Sequence, residues 1–361
     1  MSATFGERLR VTVFGQSHSE AMGAVVDGLP AGLRIDTEHL RAFLARRAPG
    51  QGPLTTARRE PDAPEIIAGL ADGVTCGAPL CILIRNTDAR SRDYETLRRV
   101  VRPSHADYPA YVRFGGHNDI RGGGQFSGRL TAPLCAAGAV ALQCLAARGV
   151  GVYAHIASIA GIKDAAVDPV SPDLPALAAL AAKPLPVLDA RAGEAMAQAV
   201  RAAAADGDSV GGVVECVVTG LPAGVGEPLY DSVESRLAAL LFAVPAVKGV
   251  EFGAGFAAAA LRGSENNDGY TASGGEVRTL SNHSGGICGG LTTGMPVVFR
   301  AAFKPTPSIA RPQRTVALPG PEETTLTVGG RHDPCVVPRA VPVVEAAAAL
   351  TMYDLLLCAA L

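Results

Sequence analysis

The sequence contains no tryptophan and only four lysines (Lys163, Lys183, Lys248 and Lys304), and aromatic residues make up 5% of it. Nearly all of its 32 basic residues are therefore arginine, and 34 acids leave a formal net charge of −2. A chain so close to neutral lacks the overall basic charge of a nucleic-acid binder, and it lacks the aromatics that stack on single-stranded bases. Charged residues are 18% and hydrophobic residues 48%, which excludes a disordered chain. None of the eight cysteines (76, 81, 135, 144, 216, 288, 335, 358) forms a C-x-x-C pair or a zinc-finger spacing with histidine. That pattern predicts reduced thiols, no metal site and a cytoplasmic location. The opening MSATFGERLRVTVFG carries charges where a secretory signal would be apolar. Leu130–Ala147 is free of charge but rich in alanine and interrupted by Pro133 and Gly138. At the lower limit of spanning length, it predicts a buried helix and no membrane. There is no P-loop, and no G-x-G-x-x-G sits between a clear strand and helix.

Glycine and proline are in excess instead, at 42 and 26 of 361 residues, against average usage of about 7% and about 5%. No repeat or low-complexity segment accounts for them. Strands are expected at RVTVFG, GAVVDGLP, within 65–85, at 150–162, at 211–219 and at GMPVVFRAAFK. Helices are expected from Asp36 to Ala48, Thr131 to Arg148, Ala190 to Ala205, Ser232 to Leu241 and Pro342 to Ala359, with 90–129 irregular. Strands and helices intermix without a βαβ rhythm, so the expectation is a single α+β domain over residues 1–361.

The glycines concentrate in Gly115–Gly128 and Gly285–Gly294. Such loops either make tight turns or bring the backbone, with inward N–H groups, close to an anion. Five of the seven histidines fall in loops: His18, His105, His117, His283 and His332. Histidine is the natural proton carrier near neutral pH. Eight arginines lie between Arg90 and Arg129, and another group comprises Arg41, Arg46, Arg47, Arg58 and Arg59. Arg98 and Arg99 read equally well as a solvated face. Arg102 near His105, Arg129 after a glycine loop and Arg331 before His332-Asp333 pair a cation with a proton-transfer group, as a phosphate leaving group requires. The residues alone thus indicate an enzyme acting on a small, multiply anionic, phosphorylated metabolite, and they leave the reaction open.

Eleven ordered segments resemble the chorismate synthase family over nearly the whole chain: FGQSHSEAMGAVVDGLPAG, RRAPG with RREPD, NTDARSRDY, RPSHADY, RGGGQFSGRLTA, GDSVGG, LPAGVGEPLYD, PAVKGVEFGAGF, SNHSGGICGGLTTGMP, KPTPSI and GRHDPCVVPRAVPVVEA. The resemblance implies a β-α-β sandwich, a helical layer between antiparallel sheets, assembled as a homotetramer. It implies an anti 1,4-elimination of phosphate from 5-enolpyruvylshikimate 3-phosphate to give chorismate, a step of aromatic amino acid biosynthesis. Reduced FMN is required without net redox change, and reducing equivalents are expected from NADPH through a separate flavin reductase. Carried over by position, His18 is the general acid at the departing phosphate, His105 the proton donor to the reduced flavin and Asp333 the carboxylate that assists flavin N5. Arg47, Arg102, Arg129 and Arg331 hold substrate or lie beside the flavin. Gln125, Phe126, Ser127, Pro245, Ala246, Gly289, Lys304, Pro305, Thr306, Pro307, Ser308 and Arg331 fall in FMN-contacting segments. The rival reading is a non-catalytic paralogue that binds flavin or a partner. The chain departs from the commonest family pattern at Gln16, Ser19, Pro53, Ser104, Gln125, Phe126, Leu130 and Pro245.

Overall fold

Alternation of apolar and polar residues builds two five-stranded sheets. In Leu80–Arg85, the side chains of Leu80, Ile82 and Ile84 are buried while their neighbours are not, the period of a half-buried strand. This strand lies between Ala21–Asp27 and Pro64–Ala68, and Arg10–Gly15 and Thr4–Phe5 complete the first sheet. The second sheet runs in the order Val247–Phe252, Val297–Phe303, Gly212–Thr219, Gly151–Ile159, Ile162–Lys163. Every neighbouring pair in both sheets is antiparallel. The computed structural model describes residues 3–50, 54–56, 60–88, 96–329 and 332–359.

Between the sheets lies a helical layer. The Thr131–Ala146 helix packs on the first sheet, the C-terminal helix Val337–Cys358 packs on the second, and the two helices pack on each other. At their crossing, a Cβ on Gly138 would stand 2.3 Å from the Ala346 Cβ, so glycine and alanine set a close approach. Gly128–Ala146, which adds the preceding turn to the first helix, and Val337–Cys358 are long and apolar enough to span a membrane, and both are mostly buried inside the protein. The layered α+β architecture agrees with the sequence reading.

Buried charges fasten this layer. The Asp354 carboxylate accepts the backbone N–H groups of Glu7, Arg8 and Leu9 at 2.7–3.2 Å and pairs with Arg236. Glu345 takes Arg46 through a fork of 2.6 and 3.0 Å. The Thr37–Arg47 helix is capped by Asp36, which accepts from the Glu38 and His39 amides, both at 2.9 Å. Its last turn ends in Arg46 and Arg47, cations at the negative end of the helix dipole.

Three expectations change. The irregular 90–129 stretch contains a helix, Asp107–Phe114, closed by Gly115 in a left-handed conformation. The C-terminal helix starts at Val337 rather than Pro342. Pro338 occupies the first turn, where a missing N–H costs nothing, and Pro342 is carried inside. Two hairpins, Tyr270–Thr279 and Gln313–Leu326, occupy stretches that carry no apolar alternation strong enough to announce them.

Candidate functional site

A cavity of about 630 Å³ opens where the helical layer meets the loops, a size suited to a small molecule or cofactor. Its walls come from Arg47 and Pro49, from segments 102–106, 122–131, 242–248 and 303–308, and from His332 to the start of the C-terminal helix. Six cationic side chains line it: Arg47, Arg102, Arg129, Lys248, Lys304 and Arg339. Asp333 is the one acidic residue of the lining among the described residues. The balance favours a ligand with several negative charges.

The glycine loop at one wall has three consecutive residues in the left-handed region, Gly122, Gly123 and Gly124, at φ 61°, 86° and 55°. A Cβ on Gly122 would lie 2.4 Å from Ser17 Oγ and 2.7 Å from His18 Nε2. The Ser17 amide donates to the Gly124 carbonyl at 3.1 Å, docking the His18 turn on this loop. His18 is buried directly behind Gly122, which itself borders the cavity.

His105 is held by its own short segment. Its Nδ1 lies 2.6 Å from Asp107 Oδ1. Arg102 grips the same carboxylate through Nε and Nη2 at 2.7 and 2.8 Å, and its amide adds a third bond at 3.0 Å. Burial pushes Asp107 up, but Arg102 and His105 hold it well below the carboxylate range. An ionised Asp107 makes Nδ1 the donor of His105, leaving Nε2 for the cavity side, 3.2 Å from a Cβ placed on Gly123. Burial keeps the imidazole pKa below its ordinary value, with Arg102 and Lys304 acting in the same direction. His332, in the same wall, is likewise lowered by burial, and its Nε2 lies 3.1 Å from the Gly329 carbonyl.

Arg47 and Arg129 share one buried acid. Arg47 Nη1 pairs with Asp62 Oδ2 and Arg129 Nη1 with Asp62 Oδ1. Arg47 also donates to Thr131 Oγ1 at 3.0 Å and to the Gly128 carbonyl at 2.9 Å. Burial pulls Arg129 down to about 10, against the opposing charge of Asp62. Asp333 accepts the Thr56 amide at 2.8 Å and Arg339 Nη1 at 2.5 Å, and Arg339 Nε in turn donates to the Arg47 carbonyl at 3.0 Å. Lys304 Nζ donates to the Ser104 carbonyl.

Most of the site anticipated from sequence therefore converges. His105, Asp333, Arg47, Arg102, Arg129, Gln125, Phe126, Ser127, Pro245, Ala246, Lys304, Thr306, Pro307 and Ser308 border one space, with His18 behind it. Gly289 does not. It occupies the turn of the Ile287–Thr292 hairpin, away from the lining. Pro305 points outward between two lining residues. Arg331, with Pro53, Arg58, Arg59, Arg90 and Arg92, lies outside the described residues. The expectation that Gly285–Gly294 approaches a ligand is corrected for this cavity. A Cβ on Gly285 would strike the Gly253 backbone and one on Gly286 the Pro296 carbonyl, so these glycines let chain pack on chain. His117 and His283 are also elsewhere, His283 Nδ1 lying 3.1 Å from the Asn266 carbonyl. Sequence reasoning assigned no role to Asp62, Asp107 or Arg339, whereas His332, read there as a loop histidine able to carry a proton, does line the cavity. Only Asp107 had a usable signal, its spacing in Arg102-x-x-His105-x-Asp107.

The sequence profile of the family described as chorismate synthase matches residues 9–357. A chorismate synthase of Methanocella arvoryzae is 48% identical over 353 residues, covering 97% of this chain and 93% of that one. That of Aeropyrum pernix is 49% identical over 354 residues, covering 98% and 92%. A crystal structure of a chorismate synthase superposes with a TM-score of 0.77 at 27% identity, covering 98% of this chain and 92% of the other.

Proposed function

The chain belongs to the chorismate synthase family of lyases, and from that premise we propose that it eliminates phosphate from 5-enolpyruvylshikimate 3-phosphate to give chorismate, with reduced FMN as required cofactor. The observation that carries this reading is the cavity itself, where six cations and two half-buried imidazoles face a single carboxylate. A substrate bearing two carboxylates and a phosphate, beside a cofactor bearing another phosphate, matches that balance.

The walls also fit the cofactor. Arg129 Nη2 and Thr306 Oγ1 are buried polar atoms without a hydrogen-bond partner among the described residues, and both residues border the cavity. Phe126 and Phe242, both exposed at the cavity, offer apolar faces suited to a flat ring. Gln125, Phe126, Ser127, Pro245, Ala246, Lys304 and Thr306 to Ser308 would hold it. When bound, reduced flavin supplies the transient electron density that weakens the allylic C–O bond to phosphate.

The protein's own residues then bind, orient and move protons. Arg47 and Arg129 hold anionic groups of the substrate, with Arg102 beside them. His18 is the general acid at the phosphate oxygen, and Gly122, lacking a side chain, leaves its Nε2 a path to the cavity. Asp107 fixes His105 so that Nε2 carries the proton exchanged with the cavity. Arg102 and Lys304 disfavour the charged imidazole, and anions filling the cavity offset them, which readies His105 as proton donor. Asp333, with one oxygen on the Thr56 amide and one on Arg339, is the fixed carboxylate of the lining.

The reading extends to a single-domain enzyme of aromatic amino acid biosynthesis, cytoplasmic in keeping with eight unpaired cysteines. A separate NADPH-dependent reductase supplies the reduced flavin. Exposed Leu229, Tyr230, Phe256, Tyr270 and Leu280 provide apolar surface for assembly as a homotetramer. The test is an anaerobic assay with the phosphorylated substrate and chemically reduced FMN. Chorismate and phosphate are expected, and oxidised FMN should not substitute. No product at micromolar enzyme would sink the proposal.

A further inference from the structure

Arg47 and Arg129 come from opposite parts of the sequence, one from a helix end and one from the turn before the Thr131–Ala146 helix. Both are almost wholly buried, and both border the cavity. Two guanidinium groups brought together out of water repel each other unless something stands between them. Asp62 stands there. Each of its carboxylate oxygens takes a different guanidinium, and the residue is itself 1% exposed. Its backbone adopts the left-handed region at φ 49°, an uncommon conformation for aspartate. Such strain persists where surrounding contacts over-determine it.

The remaining donors divide unequally. Arg47 places Nε on Thr131 and Nη2 on Gly128. Arg129 places Nε on Asn86 Oδ1 at 3.1 Å, and its Nη2 has no hydrogen bond among the described residues. Glu60 lies 3.8 Å from Nη2, an ion-pair distance too long for a hydrogen bond, and its oxygens accept from Thr87 and the Asp88 amide. One carboxylate therefore immobilises both guanidiniums by their Nη1 groups and leaves Arg129 Nη2 for a ligand.

We propose that Asp62 is a positioning residue for substrate binding: it locks Arg47 and Arg129 side by side so that they receive one anionic group of the substrate, a carboxylate or the phosphate. The inference rests on the proposed function, since it assigns part of that substrate's binding. Asp62 touches neither substrate nor cofactor, and its effect passes through the two arginines.

Asp62→Asn keeps the shape but removes the charge and one acceptor, and Asp62→Glu keeps the charge but moves it by a methylene. In steady-state assays with reduced FMN, either variant is expected to raise KM for 5-enolpyruvylshikimate 3-phosphate at least tenfold, with a smaller fall in kcat. In an Arg129→Ala background the same change should raise KM by a clearly smaller factor than in the wild type, because one of its two targets is gone. A residue serving stability alone would lower the melting temperature and leave KM unchanged. A folded Asp62 variant with wild-type KM, or losses that add in full with Arg129→Ala, would overturn the inference while leaving the functional reading intact. Wild-type protein that turns over no substrate would overturn both. Should Asp62→Asn not fold, Asp62→Glu carries the same readings.

Discussion

Asp107 lies 2.6 Å from His105 Nδ1, and the same carboxylate is clamped by Arg102 at 2.7 and 2.8 Å. Asp107 thereby fixes which imidazole nitrogen faces the cavity. It also raises the His105 pKa, against burial and the Arg102 and Lys304 charges that together keep it low. Asp107→Asn removes both effects. Turnover is expected to fall about 10²-fold, the lower range for impaired proton transfer. The His105 ring signals in NMR should titrate at still lower pH than in the wild type. A midpoint that does not move would separate Asp107 from the imidazole.

Gly122 separates His18 from the cavity and leaves no room for a side chain. At φ 61°, alanine costs about 1–2 kcal/mol of backbone strain. Its Cβ would also meet Ser17 Oγ and His18 Nε2 inside contact distance. Gly149 provides the control, since its φ of 76° imposes similar strain with nothing within 4 Å of an added Cβ. Gly122→Ala is expected to lower kcat more than tenfold, while Gly149→Ala lowers only the melting temperature. Equal activity of the two variants would remove the His18 turn from the mechanism. His18→Ala itself should cost about 10²–10⁴ in turnover.

These contrasts show why part of the site is legible in sequence. Arg102 and His105 stand three positions apart, so spacing alone announces them, and Asp107, two positions further on, carries a local signal of the same kind that went unused. The long apolar Thr131–Ala146 helix and the strands Gly212–Thr219 and Val297–Phe303 are legible for the same reason, because their signal is local periodicity. Asp62 carries no local mark, since what defines it is contact with Arg47 and Arg129, fifteen and sixty-seven positions away. Glu345 acquires meaning only through Arg46, brought across from the first helix. Gly285 and Gly286 show the limit of such a signal, because dense glycine indicates close approach, and at these two positions the approaching group is backbone.

His155 is a buried cation outside the cavity. It stands opposite Glu215 across the second sheet, 3.1 Å from its carboxylate and 3.2 Å from Asp164. Burial pushes its pKa down, but the two acids prevail and raise it to about 9. A raised folded-state value means stabilisation that is complete below the unfolded value near 6.5 and lost as pH climbs through about 9. The shift corresponds to stabilisation on the order of 3 kcal/mol. Chemical denaturation of wild type and His155→Gln should differ clearly at pH 7 and little at pH 10. A difference that is the same at both values would show that His155 is not the titrating group.

Gly138 poses two opposing effects whose sizes decide the sign. Glycine inside a helix is worth about 1 kcal/mol less than alanine, so Gly138→Ala should stabilise the helix on intrinsic grounds. Its Cβ, however, would lie 2.3 Å from the Ala346 Cβ and 2.5 Å from the Ala346 Cα. Neither atom belongs to a flexible side-chain end, so relief requires the two central helices to part. Overpacking of a tight core costs about 1–3 kcal/mol, and separating this crossing also disturbs the sheets packed on each helix. The clash should win, lowering the melting temperature despite the better helix former. A temperature at or above the wild-type value would mean that the helices part freely, and that their close approach contributes little to holding the layer together.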